Sequence, residues 1–319
     1  MTFHERKVQF DREYKPIEVA LLTFHGVPGF DVYNCSIPFF WEGSQYIYGR
    51  IERRSEWSRS WVRLFARTGQ DDYTLVPDSM IYQLEDPFIS VINKELILGG
   101  THVRFSGGKV ETVYSYFYRG KNLEDMLYFT TGPENMKDVR VVQLKDGVGV
   151  FSRPRSADVE KQYGSASVVG FVKLRDIGEM TAGRIASAPV IPDMFADGEW
   201  GGCNQCYLLD SGLIGIIGHK SYTHYSLQNG KQAVYTNVSF VYDPASNRIV
   251  DEKIIATRSS YPQGPAKIPE LKDCAFTSGI VMRPDGRADL YSGLSDTIEG
   301  RTVIEYPFTG FGNIITVGE

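Results

Sequence analysis

The sequence predicts an all-β protein, a five-bladed β-propeller, and three observations carry that prediction. Aromatic residues make up 13% of the 319 residues, with 19 Tyr and 18 Phe, a mix that suits pleated, half-buried surfaces. Gly reaches 32, enough for many tight turns. One plan, an apolar strand, a turn and a second apolar strand, recurs five times along the chain.

The first copy runs from Cys35 through a turn at Glu42-Gly43 to Arg50. The second runs from Pro87 through Asn93-Lys94 to Gly100, and the third from Val139 through Asp146-Gly147 to Arg153. The fourth runs from Gln205 through Asp210-Ser-Gly212 to His219, and the fifth from Gly279 through Pro284-Asp-Gly286 to Ser292. Asp-Gly and similar pairs between short apolar runs are hairpin signals, because the tight turn demands positive φ. The turns recur at intervals of about 50 to 75 residues, which leaves room for two more strands per unit. Residues 60–66, 113–118 and 232–242 are candidates for those outer strands, and no long amphipathic helix is evident. Residues 156–194 form the least regular stretch, read as a loop or blade insertion. No low-complexity linker divides the chain, so residues 1–319 read as a single propeller domain.

Charge and cysteine content narrow the function. The net charge of -5 lacks the basic footprint of a nucleic-acid or anionic-membrane binder. No apolar run approaches a membrane span, and the N-terminus lacks a signal peptide's apolar segment, so a cytoplasmic location is expected. The four cysteines are too few for a disulfide scaffold. Cys203 and Cys206 have metal-like spacing but no second pair, and they lead into a strand, so they read as buried thiols. The five histidines form no convincing metal-ligand set, and no cofactor is called for.

Two repeat positions are unusually polar. Eight or nine residues ahead of each turn marker stand Asn34, Asp86, Asp138, Asn204 and Ser278. At the end of the second strand stand Arg50, Gly100, Arg153 and His219, with Asp296 slightly later. In a propeller the innermost strands converge on a channel mouth, so these residues meet in space. One or two acids among several cations make a sugar or phosphate site rather than a core.

On these residues the chain resembles known families. Glu85-Asp86-Pro87, Arg50-Ile-Glu52 and the segment ending at Asp296 are similar to motifs of the mannoside phosphorylases of glycoside hydrolase family 130. Phe151-Ser-Arg-Pro-Arg155, Trp200-Gly-Gly-Cys-Asn-Gln205, Gly215-Ile-Ile-Gly-His-Lys220 and Phe276-Thr-Ser-Gly-Ile280 resemble more closely the β-1,2-mannosyltransferase/phosphorylases of glycosyltransferase family 108, formerly a domain of unknown function. The resemblance spans roughly residues 30–310. One position departs: Phe88 stands where the phosphorylase motif usually carries Arg.

The resemblance implies transfer of mannose between a β-1,2-mannooligosaccharide and phosphate, through mannose-1-phosphate, with inversion at the anomeric carbon. Phosphate is already an anionic nucleophile, so one acid suffices where an inverting hydrolase also needs a second carboxylate to deprotonate water. Asp86 is expected to be that acid, its pKa raised by burial. Arg153, His219 and Lys220 are the expected phosphate clamp, with Arg155 a further candidate. Asn34, Arg50, Asn204 and Asp296 are expected to grip sugar hydroxyls, and Glu52 to fix Arg50. Tyr222 and His224 are candidates for the border of the acceptor subsite. A propeller glycosidase using water, with Asp138, Asp296 or Glu52 as second carboxylate, is one alternative, and a non-catalytic sugar-binding propeller is another.

Overall fold

A computed structural model describes residues 1–226 and 230–315. The chain is mostly β-structure, and each predicted hairpin is present. Asn93 and Lys94 turn the second one with φ of 52° and 65°, the paired positive values that match the twist of the flanking strands. All three predicted outer segments are strands, Trp61–Arg67, Lys109–Gly120 and Gly230–Asp243.

Four-stranded antiparallel sheets form around the second hairpin (Glu85–Ile92, Glu95–Ser106, Lys109–Gly120, Leu127–Thr131) and the fourth (Glu199–Leu208, Ile214–Ser226, Gly230–Asp243, Arg248–Ala256). The third sheet has three strands, Arg140–Leu144, Gly147–Ser152 and Gly170–Leu174. Its last strand lies inside the segment read as irregular, which also holds the helices Ala157–Tyr163 and Ala182–Ala186. The first unit (Asp31–Tyr33, Ser44–Glu52, Trp61–Arg67, Asp72–Leu75) and the fifth (Ala275–Met282, Ala288–Leu294, Ile298–Ile304) join through one parallel bridge between Val32 and Ile298. The early strand Val19–Leu21 pairs with Ile298–Ile304 and so completes the last unit with chain from the start of the sequence.

Apolar side chains on facing sheets interlock, and each neighbouring pair of units shares a cluster. Tyr48 and Leu64 meet Ile89 and Leu98 between the first and second units. Phe88 and Phe117 meet Val141 and Val150, and Phe151 and Phe171 meet Ile216 and Phe240. Ile217 and Val241 meet Ile280 and Leu290, and Tyr291 of the fifth unit meets Val32 and Ile47 of the first. Cys203 and Cys206 lie in the third of these clusters, free and buried, and the other two cysteines are free and buried as well.

One helix departs from the expectation. Phe3–Glu13 is helical and starts with a capping box, in which the Thr2 hydroxyl accepts from the Glu5 N–H and the Glu5 carboxylate accepts from the Thr2 N–H. That Thr-x-x-Glu signature was legible. Among the described residues no helix is long and apolar enough to cross a membrane.

Candidate active site

The polar repeat residues share a backbone device. Asn34, Asp86 and Asp138 take left-handed φ of 47°, 49° and 57°, and the strand ladders slip at Asn204 and at Ser278. A bulge adds one unpaired residue and re-aims its side chain, so the strain at these positions serves orientation.

Asp86 is 4% exposed, and its Oδ1 accepts from Asn34 Nδ2 at 2.9 Å and from an Arg50 terminal nitrogen at 2.8 Å. Its Oδ2 faces the other way, 3.9 Å from Lys137 Nζ. Arg50 is enclosed: it donates to Glu85 at 3.0 Å and to Ser60 at 2.8 Å, lies 3.4 Å from Glu52, and stacks 4.7 Å over the Tyr33 ring. A guanidinium fixed on so many sides holds Asp86 in one rotamer.

These groups line a cavity of about 310 Å³ with Asp296, Trp57, Ser58, Lys137, Arg155, Tyr235, Leu271, Cys274 and Phe276. Asp296 makes no side-chain hydrogen bond or ion pair among the described residues. Burial, opposed by Arg50 and helped by Asp86, pushes its pKa up to about 6. A second cavity of about 370 Å³ adjoins it, sharing Lys137, Arg155 and Tyr235 and adding Arg153, Ala166, Ser167 and Trp200. Arg153 is tethered there, donating to Asp138 and to the Gly201 carbonyl. Burial would raise the Asp138 carboxyl, but Arg153, Lys137 and Arg140 hold it well below the usual range. Arg155 has no hydrogen bond or ion pair among the described residues, and it lines both cavities. Among the described residues no group of three or more His, Cys, Asp or Glu could hold a metal ion.

Asn34, Arg50, Asp86, Asp296, Arg153 and Arg155 therefore come together as anticipated, whereas Lys220, His219, Asn204, Tyr222 and His224 need correction. Lys220 points to the opposite face of its strand from His219, bonding Glu199 at 2.9 Å and Glu252 at 3.0 Å beneath the N-terminal helix. His219 is fully buried, lines neither cavity, and pairs its Nδ1 with Asn204 Oδ1 at 2.8 Å. Burial and then Arg153 push its pKa well below the ordinary histidine value, so it is neutral and a poor phosphate clamp. Asn204 is 2% exposed and serves His219, while its carbonyl accepts from Arg140. Glu52 contacts Arg50 as expected; it is 0% exposed and saturated by Lys267, Tyr33, Arg50 and the Arg59 N–H, so it braces the site and does not itself reach a sugar. Tyr222 and His224 likewise engage His4 of the N-terminal helix, by a 2.9 Å hydrogen bond and by ring stacking at 4.7 Å.

Lys137, Glu85, Trp57 and Tyr235 were missed. Lys137 had a signal, since Lys137-Asp138 sits where Glu85-Asp86 sits one unit earlier. Trp57 and Tyr235 had none, because a loop and a long outer strand carry them to the mouth. Phe88, standing where a cation was expected, packs against Gly99 in the core, with the Arg140 guanidinium 4.6 Å from its ring centroid.

Fold and site together define a mostly-β protein of repeated sheets, with a braced carboxylate opening onto Lys137 and Arg155. The chain belongs to the family described as "Protein of unknown function (DUF1861)", whose model matches residues 8–310. It is similar to MPT-4, a mannose phosphorylase from Leishmania mexicana solved with a phosphate ion, at 51% identity and a TM-score of 0.93, covering 98% of this chain and 96% of that one. It is similar also to MPT-1, a GDP-Man-dependent mannosyltransferase from Leishmania mexicana, at 45% identity and a TM-score of 0.91, covering 98% and 97%. A structure from the GH130 family of mannoside phosphorylases shares the fold at 12% identity and a TM-score of 0.55, covering 93% and 88%. No curated protein matches the chain.

Proposed function

We propose that this protein is an inverting mannoside phosphorylase and β-1,2-mannosyltransferase, which moves mannose between a β-1,2-mannooligosaccharide and phosphate. The kinship with MPT-4 and MPT-1 over nearly the whole chain supports the reaction class. The observation that carries the residue roles is the two-sided setting of Asp86, clamped on one oxygen by Asn34 and Arg50 and turned on the other toward Lys137. We read residues 1–319 as one closed five-bladed propeller. The shared apolar clusters, which run from the first unit through the fifth and back to the first, support this. We place it in the cytoplasm, on the strength of its free buried cysteines.

In phosphorolysis a phosphate oxygen bonds to C1 as the bond from C1 to the glycosidic oxygen breaks. The departing oxygen keeps the electron pair and takes a proton from Asp86, directly or through a sugar hydroxyl. Lys137, Arg155 and Arg153 hold the phosphate, which is already an anionic nucleophile and so needs no second carboxylate to deprotonate it as water does in an inverting hydrolase. Asn34 and Arg50 hold Asp86, and Asp296 orients the reacting mannose.

Incubation with α-mannose-1-phosphate and mannose tests this, with release of phosphate and formation of a β-linked disaccharide as the expected result. A water-using glycosidase is the second reading, favoured by Asp296, a carboxyl in the same cavity with a raised pKa. Asp138 and Glu52, the other candidates for that second carboxylate, are held by cations. Free mannose appearing from a mannooligosaccharide without phosphate selects the hydrolase, and no turnover of any mannoside sinks both.

A further inference from the structure

We propose that Trp57 is the platform for the leaving sugar, a specificity-determining residue that stacks against the apolar face of the acceptor pyranose. The inference rests on the phosphorylase reading above. Trp57 is 52% exposed, and it lines the cavity that holds Asp86, so its ring is open to a ligand there.

The position follows from the two faces of Asp86. Its Oδ2 is turned to Lys137, whereas its Oδ1 is turned to Arg50 on the first unit. Displacement with inversion places the entering phosphate and the departing sugar on opposite sides of the anomeric carbon. With phosphate on the Lys137 and Arg155 side, the departing sugar occupies the first-unit side; Oδ1 there already accepts from Asn34 and Arg50, so the proton leaves Oδ2 and reaches the departing oxygen through a sugar hydroxyl. Trp57 lies in the first-unit loop between Ser44–Glu52 and Trp61–Arg67.

That loop is braced as a platform needs to be. The Arg59 N–H donates to Glu52 Oε1 at 2.6 Å, and the Arg59 guanidinium stacks 4.6 Å over Phe105 of the second unit. Lys267 Nζ sits 5.6 Å from the Trp57 ring centroid and pairs with Glu52, which lies beside Arg50. Ser58 takes a φ of 57°, turning the chain sharply just after the indole. An aromatic ring held this way offers a flat apolar face that prefers the C–H face of a sugar to its hydroxyl edge.

The test measures synthesis kinetics of wild type, Trp57→Ala and Trp57→Phe, varying mannose and α-mannose-1-phosphate separately. Trp57→Ala is expected to raise the acceptor KM about tenfold with the mannose-1-phosphate KM unchanged, and Trp57→Phe to restore most of it. An unchanged acceptor KM in Trp57→Ala, or an equal rise in both constants, overturns the proposal. Quenching of wild-type tryptophan fluorescence by mannose or β-1,2-mannobiose, lost in Trp57→Phe, reads the contact without turnover. Quenching retained in Trp57→Phe counts against it. Failure of the phosphorylase reading shows separately, as a wild type that makes no disaccharide.

Discussion

The first- and third-unit sides of the cavity treat positive charge in opposite ways. On the first-unit side the cations beside Asp86 are spent: Arg50 is shared among Glu85, Asp86 and Glu52, and Lys267 is paired to Glu52. On the third-unit side Arg153 is tethered to Asp138, but among the described residues Arg155 has no ion pair and Lys137 has only a long contact with Asp86. A buried charge with its partner beside it shapes the site, whereas a cation left without one is available to an anionic ligand. The difference separates scaffolding from binding among residues that look alike in the sequence.

The sharpest break comes at the residue between the two sides. Asp86→Asn should lower turnover by about 10²- to 10⁴-fold while the melting temperature stays near wild type, and unchanged kinetics would remove Asp86 from its role. Next is the unpaired cation. Arg155→Ala loses a charge-assisted contact worth roughly 1.5–3 kcal/mol, so the phosphate KM should rise about ten- to a hundredfold with stability unaltered. A large loss of stability without a change in phosphate KM would show that Arg155 belongs to the scaffold.

A pH effect should be smaller. The Asp296 pKa of about 6 lies above its unfolded value near 3.8, so ionising it works against the native state. The penalty is absent below the unfolded value, grows as pH rises between the two, and is complete above about 6. Asp296→Asn should therefore melt higher than wild type at pH 8 and about the same at pH 3.5. An equal difference at both would deny the shift. Smallest of all, Lys220→Met should change the phosphate KM less than about twofold, since its ammonium is spent on Glu199 and Glu252 far from either cavity. A tenfold rise would return Lys220 to the clamp.

Legibility in the sequence followed the range of the signal. The hairpins were readable because each turn carries its own residues, such as Asp146-Gly147 and Asn93-Lys94. The bulge residues were readable because they stand at a fixed distance from those turns. Lys220 was misplaced for a reason also present in the sequence: neighbours on a strand point to opposite faces, so His219 and Lys220 could not share a ligand. His219 failed differently, since its burial depends on Phe276 and Tyr235 from other strands. Arg155 and Arg153 flank Pro154, and nothing local says that one is tethered and the other not. That depends on Asp138 and Gly201, which only the packed sheets bring near.

The pairing of Val19 with Thr302 carries a consequence for biogenesis. A ribosome delivers the first of these two partners almost a full chain length before the second. Until then the early strand has no mate, and the last unit lacks its outer edge. Assembly therefore needs a seam sewn between an early and a late segment, a long-range contact of the kind that slows folding. Nascent chains stalled ahead of residue 298 carry an open, unpaired strand, and they are the species for which a chaperone has most to shield.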